Sequence, residues 1–139
     1  MAETKRVGVS AQPHRLQHAF QAIAEYVMNE RLLHSIRQVI EHLVAGRYVE
    51  LETLTNGQRL SAQEMAKAIN DYGRKLVLPP EDVFELMDVV EVRNAQPQQW
   101  SVAMPLWTRE EGRSDLSIGV TVIADEDGYS VELDDIHVL

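Results

Sequence analysis

Trp100-Ser101-Val102-Ala103-Met104-Pro105-Leu106-Trp107 and then Leu116-Ser117-Ile118-Gly119-Val120-Thr121-Val122 place large apolar side chains at every second position. Successive side chains of a β-strand point to opposite faces, so this alternation predicts strands with one face in a core and the other toward water. Just upstream, Val90 and Val92 alternate with Glu91 and Arg93 and predict another strand. Asp125-Glu126-Asp127-Gly128 reads as a tight acidic turn that leads into a fourth strand from Tyr129. Strands are thus expected over 89–93, 100–107, 116–124 and 129–138. In the last of these, Val131 and Leu133 share one parity while Ile136 and Val138 share the other. One extra residue restores the phase, so a β-bulge is expected at Asp134-Asp135.

Upstream of these strands the apolar period changes to that of a helix. Leu16, Phe20, Ile23 and Val27 line one helical face, with Ala19 and Ala24 beside them, and Leu33, Ile36, Ile40 and Leu43 line another, widened by Leu32, Val39 and Val44. The first stripe, if continued, meets Arg31, His34, Gln38 and Glu41, which predicts either a break near Asn29 to Arg31 or a change of packing partner there. Gly46 is read as the stop. From Arg47 to Leu60, Tyr48, Leu51 and Leu54 suit a helical turn, whereas Val49 and Leu51 suit a strand. Asn56-Gly57 marks a turn in both cases. Ser61 and Glu64 have the spacing of a capping box, which starts a helix with Met65, Ile69 and Tyr72 inward and Gly73 as its end. Leu78-Pro79-Pro80 is an extended connector, and Pro80 opens a short helix through Val83, Phe84 and Met87. Helices first and a sheet last predict an α+β domain, with N-terminal helices packed on one face of a C-terminal four-stranded antiparallel sheet.

The composition limits the function classes. A chain of 139 residues with 45% hydrophobic and 25% charged residues has the make-up of one globular domain. It contains no cysteine, which removes disulfides, thiolate metal sites and cysteine nucleophiles. The polar start and the lack of a long apolar run lead to the expectation of a cytoplasmic protein. The net charge of -9 disfavours nucleic acid and anionic membrane as partners. That charge is concentrated in residues 81–139, where Arg93, Arg109 and Arg113 stand against fourteen acids. The plain reading is a solvated surface that keeps the protein soluble. The sharper one is a docking face for a basic partner.

Asn56-Gly57-Gln58-Arg59-Leu60-Ser61, Asp71-Tyr72-Gly73, Leu78-Pro79-Pro80, the run from Leu106 to Leu116 and the ending Leu133-Asp134-Asp135-Ile136-His137-Val138-Leu139 together resemble an uncharacterised family of small bacterial proteins. The resemblance covers residues 33–139 and implies a helix-plus-sheet domain of the cystatin or nuclear-transport-factor-2 type. Some similar small acidic proteins are immunity proteins to secreted toxins. It leaves residues 1–30 as a helical extension of a single domain over 1–139, and it supplies no catalytic residue.

The strand-to-strand segment from Trp107 to Leu116 is the leading candidate for recognition, since Glu110, Glu111, Arg113, Ser114 and Asp115 crowd around the conformationally free Gly112. One reading pairs Arg109 or Arg113 with Asp134 or Asp135 and merely orders the loop. The other has the carboxylates accept Lys or Arg from a partner, with Trp107 as an aromatic anchor. Asp134, Asp135 and His137 invite an acid/base or metal reading, but the bulge disturbs the i, i+2 geometry. His14 and His18, the one i, i+4 histidine pair, lack further ligands. Nucleophile elbows, dinucleotide fingerprints and phosphate loops are absent from the sequence, so no cofactor, no metal and no catalytic set are expected. The resulting expectation is a non-enzymatic protein-binding domain, such as an immunity or antitoxin protein that blocks a basic toxin. Its contact residues would be Trp107, Glu110, Glu111, Arg113, Asp115, Asp134, Asp135 and His137. The alternative is a small-ligand-binding domain or enzyme with a pocket between helices and curved sheet.

Overall fold

The computed structural model describes residues 12–139 except residue 58. The first helix, α1, runs without interruption over Gln12–Ala45. The expected break near Asn29 to Arg31 therefore does not occur, because backbone i to i-4 hydrogen bonds continue regardless of which face is apolar. The chain divides at that point into Met1–Arg31 and a compact unit Leu32–Leu139. The stripe of Leu16, Phe20, Ile23 and Val27 and the pair His14 and His18 lie outside the described side chains.

Within the compact unit, α2 spans Tyr48–Leu54 and α3 spans Ala62–Tyr72. The helical alternative is the one realised over 47–54. Leu51 is buried while Val49 is 73% exposed, whereas a strand would have turned both to the same side. The start of α3 is the expected capping box: Ser61 Oγ accepts from the Glu64 N–H at 3.1 Å, and the Ser61 N–H donates to Glu64 Oε1 at 2.9 Å. Gly73 closes the helix with φ 74°, a left-handed conformation that suits glycine. Pro80 caps a 3-10 helix over Glu81–Leu86, in the place where a short helix was expected.

The strands are β1 (Leu76–Val77), β2 (Asp88–Glu91), β3 (Gln99–Thr108), β4 (Gly112–Asp125) and β5 (Gly128–Val138). All pairings are antiparallel. β4 lies between β3 and β5, and the far edge of β3 is shared by β1 at its C-terminal end and β2 near its N-terminal end. The four expected strands are present, and the two-residue β1 adds a fifth that was not expected. Its sequence has no alternation to read. Leu76 and Val77 become a strand by pairing with Thr108 and Trp107.

The even-numbered residues of β3 and β4 form the buried side of the sheet. Val102, Met104, Leu106, Leu116, Ile118, Val120 and Val122 are at most 2% exposed, and Val131 and Leu133 of β5 join them. They share one core with Leu32, Ile36, Val39, Ile40 and Leu43 of α1, Leu51 of α2, and Met65 and Ile69 of α3. Full burial of one such side chain contributes about 1.5 to 3 kcal/mol, so this face sets the register. No odd-numbered residue of β3 or β4 belongs to that hydrophobic core, although Ser117 is buried.

Two irregularities interrupt the ladder. Between β4 and β5, Gly119 pairs with Asp135 and Val120 with Leu133, which leaves Asp134 as the extra residue of the expected bulge. Between β3 and β4, Pro105 pairs with Ser117 but Trp107 pairs with Arg113, so residues 114–116 of β4 stand opposite Leu106. Ser114 is buried there, and its hydroxyl donates to the Leu106 carbonyl at 2.8 Å while accepting from the Leu116 N–H at 3.1 Å. It thereby satisfies backbone groups that the irregularity would leave unpaired. Because the α3 cap is formed, Ser61→Ala is expected to lower stability by about 1 kcal/mol. An unchanged urea midpoint would show that the cap is dispensable.

Candidate functional site

The β3–β4 hairpin, Arg109 to Glu111, is held by the chain's own groups. Thr108 Oγ1 accepts from the Glu111 N–H at 3.1 Å and donates to Glu111 Oε1 at 3.0 Å, closing a local turn. The Tyr72 hydroxyl at the end of α3 lies 2.9 and 3.0 Å from the two Glu111 carboxylate oxygens. The Lys75 N–H donates to Glu110 Oε1 at 3.1 Å, and the Arg109 N–H returns to the Lys75 carbonyl at 2.9 Å. Gly112 leaves the hairpin with φ 73°. Two of the eight candidate contact residues, Glu110 and Glu111, therefore join the hairpin to the α3–β1 junction. The Lys75 N–H, followed by the backbone of Glu110 itself, holds the Glu110 carboxyl below the usual carboxylate range, aided by the charges of Arg74 and Arg109 and opposed by slight desolvation.

Strand alternation brings other candidates together. Trp107 pairs with Arg113, Ser117 with His137, and Gly119 with Asp135, all on the side of the sheet opposite the core. Asp115 has the same parity as Arg113. Trp107, Arg113, Asp115, Asp135 and His137 thus share one sheet face, although they come from three strands. His137 Nδ1 lies 2.8 Å from Asp135 Oδ1. A Cβ at position 119 would stand 3.0 Å from that same oxygen, so Gly119 makes room for the Asp135 carboxylate.

Asp134, pushed out of phase by the bulge, accepts from Thr121 Oγ1 at 2.7 Å through Oδ2. Its Oδ1 is buried without a hydrogen-bond partner, and Arg59 Nε is 3.9 Å away. The alternative in which Arg109 or Arg113 pairs with Asp134 or Asp135 is not what the fold produces. Those aspartates meet Thr121, Arg59 and His137 instead. Among the described residues, no three His, Asp or Glu side chains are grouped to hold a metal ion.

Two concavities include residues of this set. One, of about 100 Å³, is lined by Val83, Met87, Met104, Pro105, Trp107 and Arg113. The other is an open groove of about 330 Å³ between α3 and the ends of β4 and β5, with Ala68, Tyr72, Leu116, Ile136 and His137 among its walls. Sequence reasoning singled out Trp107 and Arg113 but not Val83, Met87, Met104 or Pro105 as their neighbours. It likewise missed Tyr72, Thr108 and Lys75 as holders of the hairpin. No local pattern marks these residues, since their partners are remote in sequence.

The lowered Glu110 pKa gives a pH prediction with a definite sign. A carboxylate whose folded pKa lies below its unfolded value of about 4.5 adds stability above that value and loses it as pH falls through the folded pKa. Glu110→Gln is therefore expected to be less stable than the native chain at pH 7, with the two urea midpoints converging as pH falls through the folded pKa of Glu110. A gap that stays constant from pH 7 to pH 3 would show that the Lys75 contact carries no linkage.

Among the described residues, no helix is long and apolar enough to cross a membrane. No curated protein and no solved structure matches the chain. A family model described as a domain of unknown function (DUF7668) matches residues 40–139, from the second half of α1 through the last strand. That span is more than two thirds of the sequence and holds the whole sheet, so the chain belongs to the DUF7668 family.

Proposed function

We propose that the Leu32–Leu139 unit is a cytoplasmic, non-enzymatic binding domain that takes a basic protein on its acidic surface, as an immunity or antitoxin protein covers a basic toxin. The observation that carries this reading is the state of the carboxylates. Asp88, Glu91, Asp115, Asp125, Glu126 and Asp127 are all exposed, and none is in an ion pair among the described residues. Carboxylates in that state are free to accept charge-assisted hydrogen bonds from Lys or Arg of a partner. The layout, helices against an antiparallel sheet, is similar to the cystatin and nuclear-transport-factor-2 type, and some small acidic proteins similar to the family that the sequence strings resemble are immunity proteins.

Within this reading the coreless sheet face is the docking surface. Asp88, Asp115 and Asp135 supply exposed charge on it, Trp107 and His137 supply ring surface, and Arg113 and Asp134 complete the rim. Glu110 and Glu111 serve indirectly, by keeping the hairpin that precedes Arg113 in place. The β4–β5 turn, Asp125 to Asp127, is equally acidic but stands at the end of the sheet and acts as an internal control.

The test is calorimetric titration against basic proteins encoded beside this gene, at low and high salt. Asp115→Ala combined with Asp135→Ala is expected to weaken binding by about 2 kcal/mol or more, the scale for truncating a desolvated charge pair. Asp125→Ala combined with Glu126→Ala should mainly slow association and lose its effect at high salt. Equal losses from both pairs would mean diffuse attraction without an epitope. Absence of binding to any such neighbour would refute the immunity reading.

A further inference from the structure

We propose that the cavity between Trp107 and the 3-10 helix binds a short, branched-chain monocarboxylate. Its wall is apolar and adaptable: Val83 and Met87 from one side, Met104 and Pro105 of β3 from the other, with the Trp107 ring beside them. Methionine thioethers and an indole suit an irregular hydrocarbon guest. Arg113 stands at the same cavity, opposite Trp107 in the ladder. Residues 81–139 hold fourteen carboxylates, yet Arg113 makes no ion pair or hydrogen bond with any described residue. A guanidinium left free in such a setting is suited to bidentate capture of a carboxylate.

Size and charge narrow the guest. A volume of about 100 Å³ is below that of pockets for drug-sized ligands, about 300 Å³ and up, and somewhat below the 150 Å³ or so that encloses benzene. It fits a hydrocarbon of four or so carbons. Asp82 and Asp88 flank Val83 and Met87 in sequence, and Asp115 follows Arg113 by two positions, so a multiply charged anion or an acidic peptide is repelled. A single carboxylate on a branched aliphatic chain meets both conditions. This inference shares Trp107 and Arg113 with the acidic-face reading but rests on the cavity beside them, so failure of a basic protein to bind leaves it standing.

The test uses the full chain titrated with 3-methylbutanoate and followed by the indole N–H signals of its two tryptophans in ¹H–¹⁵N spectra. Trp100 is the internal reference, because it is on the other face and packs edge-on against Tyr129 with ring centroids 5.5 Å apart. A saturable shift of Trp107 with Trp100 unmoved is expected, with a dissociation constant of about a millimolar. Arg113→Gln, a surface change that leaves the core intact, is expected to weaken binding about tenfold. Acetate, which lacks the hydrocarbon, and 3-methylbutanol, which lacks the charge, should each bind at least about tenfold more weakly than the acid. Val83→Phe, which fills the cavity, should abolish the shift. Binding by Arg113→Gln or by the alcohol that equals wild type with the acid would overturn the proposal, as would no saturable shift at tens of millimolar or so. A leucine-terminated peptide that binds more tightly than the free acid would overturn the small-molecule assignment in favour of a chain terminus.

Discussion

The even-numbered side chains of β4 hold the compact unit together. Leu116, Ile118, Val120 and Val122 are at most 2% exposed, and they occupy the middle strand between β3 and β5. A slip of one residue would exchange this row for Ser117, Gly119, Thr121 and Ile123 and turn the core face to water. Leu32, Ile36, Val39, Ile40 and Leu43 of α1, Leu51 of α2, and Met65 and Ile69 of α3 join the core that this row organises. Once the register is set, every odd-numbered side chain of the strand is directed to the opposite face.

The two ladder irregularities follow from the same constraint. β5 carries Val131 and Leu133 into the core at one parity and Ile136 against it at the other, and only an extra residue at Asp134 reconciles them. The bulge brings Asp134 to Thr121 and leaves Asp135 facing the open space above Gly119. On the other side of β4, Ser114 bridges the backbone where three residues oppose one. In both places a core requirement has re-aimed polar side chains, which is a common use of bulges.

Electrostatics is distributed in the same two-sided way. Among the described residues the buried polar ones are Thr55, Thr108, Ser114 and Ser117, with no ionisable side chain among them. Much of the negative charge of the C-terminal part, including Asp88, Asp115 and the Asp125 to Asp127 turn, is exposed, where salt screens it and a partner can reach it. Near the β3–β4 hairpin, Arg74 and Arg109 offset it, and Glu110 and Glu111 are engaged with Lys75 and Tyr72. Elsewhere the carboxylates of Asp88, Asp115 and the Asp125 to Asp127 turn make no ion pair among the described residues.

Local chemistry made much of the fold legible. The period of two marked β2 to β5, the Ser61 and Glu64 spacing marked the start of α3, and the parity switch after Leu133 located the bulge. Each is a relation between residues a few positions apart, which is the range over which backbone geometry acts. The continuity of α1 through Asn29 to Arg31 was not legible, because polar residues on a stripe change what a helix packs against without breaking its hydrogen bonds. Neither was β1, whose two residues are a strand only because Thr108 and Trp107 lie beside them. For the candidate site, sequence alone identified Trp107, Arg113, Asp115, Asp135 and His137 as a chemistry-bearing set. Tertiary structure decided that they share a face, that Glu110 and Glu111 reach across the surface to Lys75 and Tyr72, and that Val83 and Met87 line a cavity with Trp107. Those outcomes depend on strand register and on contacts between segments 20 to 40 or so residues apart, where closing the loop costs entropy that only the assembled core offsets.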